Sequence, residues 1–125
     1  GDRVLLRAKS TILFTVHPRK KTGQALSALG VGQTWQDLTA SRAINTVYQN
    51  TTGRPIQVNV VMSSDSSGTN TDLTVESANP PTVVAARHFN TVGTGVYITM
   101  SVIVPNNHYY KVSNSGTLSK WAELR

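Results

Sequence analysis

Short stretches of alternating apolar and polar residues recur along the chain. The clearest runs from Val96 to Val104. There Val96, Ile98, Met100, Val102 and Val104 share a face, and Tyr97, Thr99 and Ser101 alternate with them. A period of two marks a pleated strand with one side buried. Ile56 to Met62 repeats it with Ile56, Val58, Val60 and Met62, and Thr71 to Ser77 places Leu73 and Val75 inward. Further strands are predicted over Trp35–Thr39, Ala43–Gln49, Thr82–Phe89 and His108–Val112. The stretch Gly116–Arg125 sets Leu118, Ala122 and Leu124 on one face and Trp121 on the other, which predicts a strand covered on both sides. Only residues 24 to 30, QALSALG, are helix-like, and that is too short for a helix standing alone.

Turn chemistry separates these runs. Asn50-Thr51-Thr52-Gly53-Arg54-Pro55 is a turn, since Asn and Gly tolerate the left-handed region and Pro cannot donate to a ladder. Ser63 to Asn70 reads as a polar hairpin loop. Asn79-Pro80-Pro81, Asn90 to Gly95, Pro105-Asn106-Asn107 and Ser113 to Gly116 are breaks of the same kind. About eight short strands at this spacing predict an all-β chain, an antiparallel β-sandwich or barrel.

Composition narrows the chemistry. The 125 residues fit one domain and suffice to bury a core without disulfides or metal. The absence of Cys excludes disulfides, zinc-thiolate sites and thiol catalysis. No apolar run approaches the roughly 20 residues of a membrane helix, so no membrane insertion is expected, and the first residues do not read as a secretory signal. The net charge of +6 is unevenly spread. Residues 1 to 21 carry Arg3, Arg7, Lys9, Arg19, Lys20 and Lys21 against Asp2, and residues 22 to 125 are left with +1. A nucleic-acid binder clusters its basic residues on one face of the fold; this body lacks them, and no nucleic-acid partner is expected. Residues 1–31, broken by His17-Pro18 and Gly23, read as a linker or stalk segment, and residues 32–125 as the β domain.

Motifs for catalysis are weak. His17, His88 and His108 are far apart and give no metal-ligand spacing. Asp65 and Glu76 stand at the spacing of an EF-hand loop, but Ser67 and Thr69 replace the intermediate acids and Asn70 replaces the required Gly. Asn50-Thr51-Thr52 fits a glycosylation sequon and reads instead as turn chemistry. Glycoside hydrolysis would need two of Asp37, Asp65, Asp72, Glu76 and Glu123, and none has a sequence setting that argues for a raised pKa. No catalytic, cofactor or metal site is expected. Arg42 is better suited to a salt bridge than to ligand binding. Trp35 and Trp121, both mid-strand, are better suited to packing or an interface than to stacking on sugars.

Gly32-Gln33-Thr34-Trp35-Gln36-Asp37-Leu38-Thr39-Ala40-Ser41-Arg42 resembles the opening of the C-terminal domain of tail-fibre proteins of tailed bacteriophages and prophages. Tyr48-Gln49-Asn50-Thr51-Thr52-Gly53-Arg54-Pro55-Ile56 is similar to that family's first turn and strand. Tyr110-Lys111-Val112 and Leu118-Ser119-Lys120-Trp121-Ala122-Glu123-Leu124-Arg125 are similar to its close. The resemblance covers residues 32 to 125, with specific ends and a variable middle. Gly1-Asp2-Arg3-Val4-Leu5-Leu6 also looks like a module found upstream in such fibres, and residues 7 to 31 depart from it. The resemblance implies a homotrimeric β-sandwich at the tip of a virion tail fibre, made in the host bacterial cytoplasm. It further implies non-catalytic binding of a bacterial surface polysaccharide, such as lipopolysaccharide, or of an outer-membrane receptor. A purely structural virion domain, for fibre trimerisation or capsid decoration, is the alternative.

For such a ligand the loops supply the candidates. Asn106, Asn107, His108 and Tyr109 put amides, an imidazole and a phenol around one turn; amides match sugar hydroxyls, and Tyr gives contact area at low entropy cost. Asp65 and Asn70 lie in the Ser63–Asn70 loop, and Arg87 and His88 precede the Asn90–Gly95 loop. The competing reading makes Tyr110 core and the Asn pair only a turn.

Overall fold

The computed structural model describes residues 28–63, 67–93 and 95–125. Among them lie eight strands: β1 (Trp35–Asp37), β2 (Tyr48–Gln49), β3 (Ile56–Ser63), β4 (Thr69–Glu76), β5 (Val84–Asn90), β6 (Tyr97–Val104), β7 (Tyr109–Ser113) and β8 (Thr117–Leu124). They form two four-stranded antiparallel sheets, the first in the order β1-β8-β3-β6 and the second β2-β7-β4-β5. This is the expected β-sandwich.

The alternation in the sequence builds the core directly. β3 and β6 pair without a register break from Ile56↔Val104 to Ser63↔Tyr97. Ile56, Val58, Val60 and Met62 therefore lie beside Val104, Met100 and Ile98 on the inner face of the first sheet. Leu73, Val75, Tyr110 and Val112 meet them from the second sheet, with Trp121 among them. Each such side chain, fully buried, contributes roughly 1.5–3 kcal/mol.

The registers also sort the loops. Residues 50–55, 77–83 and 105–108 lie at one end of the sandwich, called here the first end. Residues 67–68, 91–93, 95–96 and 114–116 lie at the other. At the first end a turn over residues 28–33 is held by Arg54, whose Nη2 donates to the carbonyls of Ala28 and Val31, and by Gln33, whose Nε2 donates to Pro55 O at 2.9 Å. Most of the linker or stalk segment, residues 1–27, lies outside the described residues.

Three local expectations need correction. Ala43–Gln49 is a strand only over Tyr48–Gln49. Asn45 adopts φ 59°, and its side chain donates to Asn114 O (2.7 Å) and accepts from Asn114 N (3.2 Å), so this stretch bends to hold the β7–β8 turn. Trp35–Thr39 stops at Asp37, whose Oδ1 accepts from Thr39 N (3.0 Å) and Oγ1 (2.6 Å) and turns the chain into a 3-10 turn over Thr39–Ser41. Leu118 does not share a face with Ala122 and Leu124. Val61 pairs with Lys120 and Met62 with Leu118, so Ser119 is an extra residue that rotates Leu118 inward beside Met62. Trp121 is fully buried, but Trp35 is 50% exposed on the outer face of the first sheet, opposite Leu124.

Candidate functional site

Asn50 builds the first end. It is fully buried, and its backbone leaves β2 there. Its Oδ1 accepts from Thr52 N (3.1 Å) and Oγ1 (2.7 Å), closing the 50–55 turn on itself. Its Nδ2 donates to Arg54 O (2.7 Å), Val104 O (3.0 Å) and Pro105 O (3.2 Å), tying that turn to the β6–β7 loop. The turn-chemistry reading of Asn50 is what the geometry displays. The main chain adds two bonds, Asn107 N to Asn50 O (2.8 Å) and Asn50 N to His108 O (2.9 Å).

The loop that carries four of the candidates is therefore pinned from several sides. Asn106 is exposed, but its Oδ1 accepts from Gly53 N at 3.0 Å, so it mounts the loop. Asn107 is exposed with φ 67°, and its carbonyl accepts from Gln49 Nε2 at 3.1 Å; its side-chain amide has no partner among the described residues. The half-buried His108 ring places Nδ1 3.3 Å from Asn106 O. Tyr109 opens β7 and, like Asn107, leaves its polar side-chain atoms unpartnered among the described residues. The next residue, Tyr110, is core, as the competing reading held.

Tyr109 has cross-strand neighbours that the sequence did not single out for a ligand. Gln49 in β2 and Glu76 in β4 both pair with it, which sets the three in one row on the outer face of the second sheet. Glu76 Oε1 accepts from Thr82 Oγ1 at 2.8 Å. The arrangement combines an aromatic face, amides and a carboxylate at one rim, and no enclosed pocket lies among the described residues. It suits an extended polar ligand held at the surface.

The other candidates are not brought to this rim. Asp65 lies outside the described residues. Asn70 is exposed on β4 near the opposite end, across from Phe89. Arg87 lies on β5, where its guanidinium grips Asp72 in a two-pronged ion pair, Nε to Oδ1 at 2.7 Å and Nη2 to Oδ2 at 3.0 Å. His88 is exposed on β5 opposite Thr71.

The densest polar cluster lies in the core rather than at a surface. Glu123 is fully buried and accepts from Trp121 Nε1 (2.9 Å), Tyr110 Oη (2.8 Å), Arg42 Nε (3.1 Å) and Nη2 (3.3 Å), and Arg125 Nη1 (3.0 Å). Arg42 also lies 4.8 Å above the Tyr48 ring. Tyr48, Tyr110 and Trp121 pack around the group with centroids 5.8–6.5 Å apart. Burial pushes the Glu123 carboxyl up, but the bonds from Arg42, Trp121 and Tyr110 outweigh it and hold the group below the usual carboxylate range. Burial and the Glu123 charge together push the Tyr110 phenol well above its ordinary value. A general acid needs a raised carboxyl; Glu123 is a fixed anion that locks β8, β7 and Arg42 together. The salt-bridge reading of Arg42 is the one the geometry gives. Asp37 and Asp72 are likewise engaged, by Thr39 and Arg87.

Comparison with family models, curated proteins and solved structures finds no match for this chain.

Proposed function

We propose that this chain is the receptor-binding tip of a phage tail fibre. In this reading it is a non-catalytic homotrimer in the virion that binds a host surface glycan of the lipopolysaccharide type during adsorption. The observation that carries the reading is the first-end loop. Its backbone is fixed by Asn50, Asn106 and Gln49, while the Asn107 amide and the Tyr109 phenol have no partners among the described residues. A pre-ordered loop with unspent polar groups loses little entropy on binding. Three weak copies on one fibre gain avidity through effective concentration. The ligand contacts are assigned to Asn107 and Tyr109, with His108, Gln49 and Glu76 around them. Asn70, Arg87 and His88 lie away from this rim.

An array of bacterial surface polysaccharides tests the reading. The full chain should bind a subset of them. Asn107→Ala with Tyr109→Ala should weaken that binding roughly 10-fold or more, the loss of about 1.4 kcal/mol, and Thr91→Ala at the far end should not. Binding unaffected by the double change would overturn the assignment. One observation favours a second reading, a structural virion domain for fibre trimerisation or capsid decoration: Trp35, Ile103 and Tyr97 stand exposed at the margins of the outer face of the first sheet.

A further inference from the structure

Each sheet ends in two edge strands, β1 and β6 on the first and β2 and β5 on the second. An open edge presents unpaired N–H and C=O groups that template another strand, and folded proteins blunt it by shortness, charge, proline or a bulge. Three of the four edges are blunted. β1 has three residues and β2 two. β5 carries Arg87 and His88, and its pairing with β4 shifts register between Leu73 and Thr74. β6 has none of these guards. It runs for eight residues, Tyr97-Ile98-Thr99-Met100-Ser101-Val102-Ile103-Val104, with no charge and no proline, and pairs with β3 without a shift.

The ladder shows which groups of β6 are free. Thr34 and Arg125 exchange both backbone bonds, each at 3.1 Å. Trp121, Glu123 and Arg125 therefore address β1, and Lys120, Ala122 and Leu124 address β3. Carried across β3, the same alternation turns Gln57, Asn59 and Val61 to β8, and Ile56, Val58, Val60 and Met62 to β6. Ile98, Met100, Val102 and Val104 thus bond to β3. The N–H and C=O groups of Tyr97, Thr99, Ser101 and Ile103 point away from the sheet, with no backbone partner among the described residues.

We infer that β6 pairs edge to edge with β6 of a second copy, antiparallel about a two-fold axis at Met100. Three observations select a copy of this chain as the occupant. First, the four free residues are spaced evenly about Met100. This register joins all of them, with two backbone bonds at each pair; a slip by two residues leaves one of the four unpaired in each copy. Second, the side chains complement themselves. Tyr97 faces the partner's Ile103, and Thr99 faces the partner's Ser101; aromatic with β-branched and Thr with Ser are favourable cross-strand pairs. Tyr97 and Ile103, at 70% and 55% exposure, cover each other, and no like charges meet although the chain carries +6. Third, a foreign peptide added to a sheet edge is chosen by pockets for its alternate side chains, and no pocket lies among the described residues. The pair goes beyond the receptor reading and is independent of both the ligand and a threefold assembly.

Light scattering and amide hydrogen exchange on the full chain over a range of concentrations test it. At high concentration the parent should have twice the mass of Thr99→Pro, whose ring removes an N–H that β3 does not use. Thr99→Lys, which puts a guard at an exposed position, should show the same halved mass with unchanged circular dichroism. Should Thr99→Pro lose its circular dichroism, Thr99→Lys decides. The amides of Thr99, Ser101 and Ile103 should exchange at least about 10-fold more slowly at high concentration than at low, while those of Met100, Val102 and Val104 are slow at both. Asn70→Lys is the control, exposed on a central strand of the second sheet, and it should keep the parent's mass. Equal masses for the parent and both Thr99 variants at every concentration overturn the inference. So does a mass lowered equally by Asn70→Lys, since association would then follow charge alone. Edge amides that are slow even at the greatest dilution overturn it too, because another part of the same chain would then cover β6. A paired parent that binds no polysaccharide upholds the pair and counts against the receptor reading alone.

Discussion

Glu123→Gln changes one atom at the centre of the core and should be among the most damaging single substitutions. The carboxylate has no exposure and takes hydrogen bonds from Arg42, Arg125, Tyr110 and Trp121. An amide of the same shape offers one acceptor and one donor. Whichever way it is turned, its NH2 group meets donors: either the Arg42 Nη2 and Arg125 bonds at Oε1, or the Tyr110, Trp121 and Arg42 Nε bonds at Oε2. The change also removes the counter-charge of Arg42, which is mostly buried. Breaking a buried pair on one side costs about 3–5 kcal/mol. That compares with a total stability of roughly 5–15 kcal/mol for a domain of this kind. Urea unfolding followed by tryptophan fluorescence is the suitable assay, because Trp121 Nε1 lies 2.9 Å from the altered group. A lowered midpoint with an unchanged slope is expected. A loss below about 1 kcal/mol would refute the reasoning, since the cluster would then be incidental to the fold.

The remaining predictions concern the same frame. Because the folded pKa of Glu123 lies below its ordinary 4.5, its stabilisation is present above pH 4.5 and is lost as the pH falls through the folded value; unfolding free energies measured down the acid limb should fall steeply in the parent and less so in Glu123→Gln. Gly116→Ala should cost about 1–3 kcal/mol in chemical denaturation, because a Cβ there would land on the Ser63 carbonyl and within 2.8 Å of Asn114 Oδ1. Asn50→Ala should cost about 3 kcal/mol, since it strands the buried carbonyl of Val104 and unties Pro105 and the 50–55 turn; hydrogen exchange should quicken in the 50–55 and 105–108 loops together, and exchange confined to residues 50–55 would contradict the tie.

Local pattern made much of this legible. β3 and β6 alternate without interruption, so their inward faces followed from period two alone. The turn at Asn50 and the loop at Asn106 were visible because Asn, Gly and Pro each carry a local backbone preference. What failed were features set by a partner distant in sequence. Asn45 pairs with Asn114, so a β-like stretch became a brace. The bulge at Ser119 depends on β3, and no single-strand pattern reveals it. Glu123 reads as a polar residue in a terminal strand until Arg42, Tyr110 and Trp121 are folded around it; its spacing of two from Trp121, which puts both on one face, was the available signal. The candidate ligand residues lie in or near loops in the sequence, and among the described ones strand register separates Asn70, Arg87 and His88 from the Asn106–Tyr109 rim. Gln49 and Glu76 reach Tyr109 only through cross-strand pairing.

In the proposed function the loop over residues 105–108 binds a bacterial surface glycan. The most direct measurement is a binding isotherm of the full chain on bacterial cell envelopes, parent against Asn107→Ala/Tyr109→Ala, with circular dichroism confirming that both are folded. Saturable binding by the parent is expected, competed by purified surface polysaccharide, with the variant weaker by roughly 10-fold or more. Equal binding by both chains, or no saturable binding by the parent to any envelope tried, would contradict it.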